Sequence, residues 1–166
     1  MLLFHYIWPL ILTTSDQQLE IKIHCAMNLD APVSTIMSSD LKIASPEDKV
    51  SLLNDYFKQY KIHHVPVVEE GKVVGIISKS DFLFLLRGFT VSEMDRFTEA
   101  TKLNAFKVSE IMVKDVTTIE ESAPIREAVD LLSENRFRSL PVVNDSGSLV
   151  GMLTTHDIID MIKENG

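Results

Sequence analysis

The sequence predicts an α/β fold of the α+β kind: two copies of one unit, each a small β-sheet packed with helices. The first observation is internal repetition. Val33-Ser34-Thr35-Ile36-Met37, with Asp40 just after, recurs as Val108-Ser109-Glu110-Ile111-Met112, with Asp115 just after. Val65-Pro66-Val67-Val68 recurs at the same offset as Leu140-Pro141-Val142-Val143. Past one inserted residue near Ser146, Gly75-Ile76-Ile77-Ser78 with Asp81 matches Gly151-Met152-Leu153-Thr154 with Asp157. The second observation is that paired β-branched runs flank turn-forming residues in both copies. The third is a helical spacing of apolar residues ahead of each pair.

Taken in order, each unit reads as a short helix, a strand, a helix, and a β-hairpin followed by a helix. In the first copy Ser45-Pro46-Glu47-Asp48 opens a helix running to about Tyr60, with Ser as N-cap, Pro at the first helical position and acid in the first turn. In the second copy Ser122 is the expected cap, and Ile125, Ala128, Val129 and Leu132 line one apolar face. Val65–Val68 and Val73–Ile77 form a hairpin across Glu69-Glu70-Gly71-Lys72, and the second hairpin turns at Asn144-Asp145-Ser146-Gly147. Gly88 ends one helix, and Ser92 to Leu103 reads as a polar helical bridge between the copies. The expected organisation is an N-terminal extension at 1–30, a first unit at 31–88, a linker at 89–105 and a second unit at 106–166.

Residues 1–12 are strongly apolar, but as a helix they span only about 18 Å, short of a hydrocarbon core of ~30 Å, and Pro9 interrupts them. No basic residue precedes Lys22 and no small-residue cleavage site follows Leu12, which argues against a signal peptide. The alternative to an anchor is that residues 1–26 precede a native start at Met27. With 24 acidic against 16 basic residues and no basic cluster, nucleic acid and anionic membrane are excluded as expected partners. The lone Cys25 forms no internal disulfide and starts no zinc site, which fits a reducing cytoplasm.

The Ile-Met opening, the Pro-Val-Val strand and the Gly-apolar-apolar-Ser/Thr-x-x-Asp exit, in that order and twice over, closely resemble the cystathionine β-synthase (CBS) domain pair, or Bateman module. The resemblance covers Val33 to Lys163. It implies two copies related by a pseudo-twofold axis, with clefts between their sheets that take AMP, ADP, ATP, S-adenosylmethionine or related adenosine compounds.

The exit motifs are the first candidate sites. Ser78-Lys79-Ser80-Asp81 and Thr154-Thr155-His156-Asp157 each lie where a strand meets a helix, so hydroxyl and carboxylate can form a capping box. The functional reading has Asp157, and less strongly Asp81, accept both ribose hydroxyls while Thr154 or Ser78 and free helix N–H groups meet a phosphate. Thr118 matches a Thr common on the family's first strand, where backbone meets the base edge. The first copy has Ile43 there, so Thr118 is taken to favour the cleft of Asp157. The positions ahead of the Pro-Val strands carry His63-His64 and Arg138-Ser139, where the family places phosphate-reaching side chains. If that stretch is extended, adjacent residues point to opposite faces and at most one histidine faces the cleft. No third ligand accompanies the pair, so no metal site is expected.

No nucleophile elbow, phosphate-binding loop or metalloprotease motif occurs, so no enzyme activity and no catalytic cofactor are expected. The expected function is a non-catalytic regulatory module that binds an adenine nucleotide or adenosyl ligand and signals to a separate effector protein. No attached domain is visible in the sequence, so output is expected through that partner or through self-association. The alternative is a structural dimerisation or adaptor module with no ligand. The run Phe82-Leu83-Phe84-Leu85-Leu86 is apolar all round, and homodimer packing is expected to cover part of it.

Overall fold

The computed structural model describes residues 28–87, 101, 103–134 and 138–165. The 1–26 extension and most of the bridge between the copies lie outside them; residues 103–105 at the end of the bridge are helical.

Each copy is organised by a hairpin. Strands β1 (His64–Glu69) and β2 (Lys72–Ser78) pair antiparallel. The turn puts Glu70 at φ 49° and Gly71 at φ 80°, the left-handed pair that a two-residue hairpin with the twist of its strands requires. Ala44 adds a single parallel bridge to Val67. In the second copy β3 (Ile119–Glu120) lies parallel to β4 (Ser139–Val143), which pairs antiparallel with β5 (Leu149–Thr154). Here the turn is organised by the Asn144 side chain, whose oxygen accepts the backbone N–H groups of Ser146 and Ser148 at 3.1 and 2.9 Å. Helix α1 (Val50–Gln59) and, in the second copy, α3 (Ile125–Ser133) precede the hairpins; α2 (Lys79–Arg87) and α4 (Thr155–Asn165) follow them. The expected opening helices are single 3-10 turns, Val33–Thr35 and Val108–Glu110.

The two copies exchange these opening segments. Val33, Ile36 and Met37 pack in the core of the second copy with Ile119, Leu140 and Leu153. Val108, Ile111 and Met112 pack in the core of the first, with Leu53, Val65 and Ile77. The hydrogen bonds repeat with the same exchange. The Val33 N–H donates to Ala123 O at 2.8 Å and the Val108 N–H to Asp48 O at 2.9 Å; Ser34 donates to Glu121 O and Ser109 to Pro46 O, both at 3.0 Å. A third pair joins the strands, Ser38 with Met152 and Val113 with Ile76. These matched pairs are the pseudo-twofold relation in atomic form.

The glycines of the repeat belong to the exchange. A Cβ built on Gly151 would stand 2.9 Å from Met37 Cγ and closer still to its sulfur. On Gly75 it would meet Met112 in the same way, at 2.8 Å from Cγ. The Ile-Met and Gly-apolar-apolar motifs are therefore two halves of one cross-copy contact, made twice.

The exchange also corrects the expected helix starts. The Ser45–Asp48 stretch is a turn, closed by the Ser45 N–H on Asp48 Oδ2 at 2.7 Å. Helix α1 begins only at Val50, and α3 begins at Ile125 rather than near Ser122; neither has a side-chain cap. Backbone carbonyls arriving from the other copy's leader cap them instead. The Val50 N–H donates to Phe106 O at 3.1 Å, and Ile125 and Arg126 donate to Ala31 O and Leu29 O at 2.9 and 3.0 Å. The orphan donors of a helix N-terminus need an acceptor of some kind, and here the second chain segment supplies it. Asp30 adds an ion pair with Arg126.

Candidate ligand site

Because the copies are crossed, the end of β5 and the start of α4 face the segment that follows Met37. A cavity of about 650 Å³ opens there, within the usual range of small-molecule sites. Its wall includes Thr154 and Asp157 from one exit motif, Ser78 from the other, and His63, His64 and Arg138 from the strand starts. Six of the eight residues singled out in the sequence therefore converge. Ser38, Lys42, Lys61 and Lys79 line it as well.

The second exit motif makes the reciprocal capping box, and the first makes only its side-chain half. Thr154 donates from its backbone N–H and its hydroxyl to Asp157 Oδ2, each at 2.6 Å, while Thr154 Oγ1 accepts the N–H groups of His156 and Asp157 at 3.2 and 3.4 Å. In the first copy Ser78 Oγ donates to Asp81 Oδ2 at 2.5 Å and accepts the Asp81 N–H at 3.1 Å. Capping and ligand binding are not exclusive at Asp157. The cap uses Oδ2, and among the described residues nothing donates to Oδ1. The half-buried Asp157 lines the cavity with that oxygen unengaged.

Both His63 and His64 line the cavity. The extended geometry that would separate them starts only at His64; His63 sits in a bend, its carbonyl accepting the Lys79 N–H at 2.7 Å. Thr118, in turn, is exposed and does not line the wall that holds Asp157. The opening segment of its own copy runs along Ile76 of β2, whereas Asp157 shares its wall with the segment leading to Ile43. Asp81 is exposed at the edge, outside the lining. No periodicity in the sequence distinguishes which copy an opening segment packs on.

Burial holds the pKa of His64 below its ordinary 6.5; neighbouring His63 and Arg138 push in the same direction and Asp81 opposes them. The imidazole is therefore mainly neutral at pH 7, an acceptor and donor rather than a standing charge.

Two crossed hairpin units with a shared cavity at their strand ends define a paired two-copy module, and the chain belongs to the CBS domain family: the family model matches residues 33–88 and 108–164. The inosine-5'-monophosphate dehydrogenase of Thermoplasma acidophilum is 35% identical over 129 residues, 78% of this chain but 23% of that protein. The chain thus spans about a quarter of that relative's length. The CBS-pair protein CBSX2 of Arabidopsis thaliana superimposes with a TM-score of 0.68 at 25% identity, covering 82% of this chain and 99% of that one; it has also been solved in complex with AMP. The CBS domain pair of protein MJ0100, solved with 5'-methylthioadenosine and S-adenosyl-L-methionine, superimposes with a TM-score of 0.63 at 26% identity, covering 82% and 98%. No helix among the described residues is long and apolar enough to cross a membrane, and no group of His, Cys, Asp and Glu among them is arranged to hold a metal ion.

Proposed function

We propose that this CBS pair is a non-catalytic sensor that binds an adenine nucleotide or adenosyl compound in the cavity between its copies and passes the state of that cavity to a separate partner protein. The observation that carries the reading is convergence: the Asp157 carboxylate, with one free oxygen, shares a single cavity with Arg138, His63 and His64 from both strand starts. A carboxylate edge matches two vicinal ribose hydroxyls, and a guanidinium with imidazole N–H donors matches a phosphate. The AMP and S-adenosylmethionine complexes of similar CBS pairs support the same ligand class. The cavity takes walls from both copies, so a ligand there bears on how they sit together, and that is the physical basis for a signal.

The second reading, a structural dimerisation or adaptor module without ligand, draws on a different observation. Phe84 on α2 is 79% exposed although its neighbour Phe82 is fully buried, and an apolar side chain so placed suits packing against a second copy. Calorimetric titration with AMP, ATP, S-adenosylmethionine and methylthioadenosine separates the two. Saturable binding accompanied by a rise in Tm is expected; no binding by any of the four favours the structural reading.

A further inference from the structure

The cavity wall carries a charge opposite to that of the chain. The protein has a formal net charge of -8, yet four fixed cations, Lys42, Lys61, Lys79 and Arg138, line the cavity against two carboxylates, Asp40 and Asp157. Counting Asp81 at the rim still leaves an excess of positive charge. The cations are not equally engaged. Lys42 lies 3.7 Å from Asp40 and over the Tyr60 ring, and Lys79 donates to Phe57 O at 3.3 Å. Among the described residues Lys61 and Arg138 have no carboxylate partner. In an acidic protein, two unpaired cations on a concave wall with partly buried neighbours focus a positive potential there.

Resting on the adenosine-ligand reading above, we propose that this cavity selects an adenosine polyphosphate, ATP or ADP, over AMP and over the sulfonium ligand S-adenosylmethionine, with Lys61 and Arg138 as the residues that set the selection. Adenosine and ribose contacts are common to all four compounds and do not discriminate. The phosphate chain does: each added phosphate brings negative charge toward cations that have no counter-ion, whereas the sulfonium and ammonium of S-adenosylmethionine bring positive charge toward them. Lys61 and Arg138 are both exposed, so they remain free to move onto a terminal phosphate and their truncation leaves the core intact.

The experiment is calorimetric titration of the full chain in EDTA with ATP, ADP, AMP, S-adenosylmethionine and inorganic tripolyphosphate, repeated on Lys61→Ala and Arg138→Ala. The expected order is ATP and ADP tighter than AMP by about tenfold or more, with S-adenosylmethionine weakest. Each variant is expected to shrink the ATP-to-AMP affinity ratio about threefold or more, and added salt to weaken ATP more than AMP. Equal affinity for ATP and AMP, tighter S-adenosylmethionine, or an unchanged ratio in both variants overturns the selection while leaving adenosine binding in place. Binding of tripolyphosphate with no binding of any adenosine compound upholds the polyanion site and overturns the adenosine reading; no binding by anything overturns both.

Discussion

The exchange of opening segments makes a specific demand on Gly151. Its position opposite Met37 leaves no space for a side chain: a Cβ there would lie 2.9 Å from Met37 Cγ and 3.3 Å from Cε, with the sulfur nearer still. Gly151 itself is buried in β5. In Gly151→Ala the thioether therefore has to rotate out of a half-buried seat in the second-copy core. Overpacking of this sort costs about 1 to 3 kcal/mol; Met is the most adaptable of core side chains, which favours the lower half, about 1 to 2 kcal/mol. For a chain of this size that is a fall in Tm of roughly 2 to 8 °C. The decisive form is a double-mutant cycle with Met37→Ala, which removes the obstructing group. The Ala at 151 should then fit, and the pair should couple by about 1 kcal/mol or more toward stability. The measurement is urea unfolding of the parent, both single variants and the double. If the two changes add to within about 0.5 kcal/mol, Met37 is not seated on Gly151 and the crossed arrangement is wrong. Gly75 with Met112 should behave alike.

Other outcomes follow from the same packing. Removing residues 1–27 should leave Tm unchanged, whereas removing 1–32 should lower it by several degrees. Only the longer cut takes the carbonyls of Leu29 and Ala31 from the first N–H groups of α3, hydrogen bonds worth about 0.5 to 1.5 kcal/mol each; equal Tm values for the two cuts would sink the helix-capping role. For His64 the folded pKa is below 6.5, so the folded state binds fewer protons than the unfolded. Its stability contribution is thus fully present above 6.5 and is lost as pH falls toward the folded pKa. Thermal melts should accordingly weaken in this window for the parent and less so for His64→Gln, and an imidazole NMR titration at or above 6.5 would contradict the assignment. In Arg138→Ala that titration should move upward, because a cation that suppresses protonation has gone.

The sequence was readable where chemistry is local. The two hairpins, the helices after them and the Ser78–Asp81 and Thr154–Asp157 hydrogen bonds each depend on residues within a few positions of one another, and the structure has them. Reading failed where the partner comes from elsewhere in the chain. Ser45 and Ser122 look like helix caps, yet α1 and α3 are capped by carbonyls of Phe106 and Ala31, some 56 and 94 positions away from Val50 and Ile125. Thr118 and Asp157 lie in the same copy, yet Thr118 does not line the cavity that holds Asp157, whose facing segment comes from the other copy. Lys79 sits inside the first exit motif and was within reach of inspection, but Lys42 and Lys61 carry no spacing signal; only folding sets them on the cavity wall. The exposed Phe84 shows the same limit, since an apolar run gives no sign of which side will be covered.

The central claim is that the Asp157 carboxylate binds the ligand as well as capping α4, and Asp157→Asn tests it most directly. The amide keeps one carbonyl acceptor for Thr154, so the cap should lose about 1 kcal/mol or less. Adenine-nucleotide affinity should fall much further, by about ten- to a hundredfold, as a charged acceptor for two ribose hydroxyls is lost, equivalent to roughly 1.5 to 3 kcal/mol. Titration calorimetry and thermal melts on the same preparation read both quantities. A near-parental Tm with strongly weakened binding is expected; a lowered Tm with parental affinity would reduce Asp157 to a helix cap and contradict its role in ligand binding.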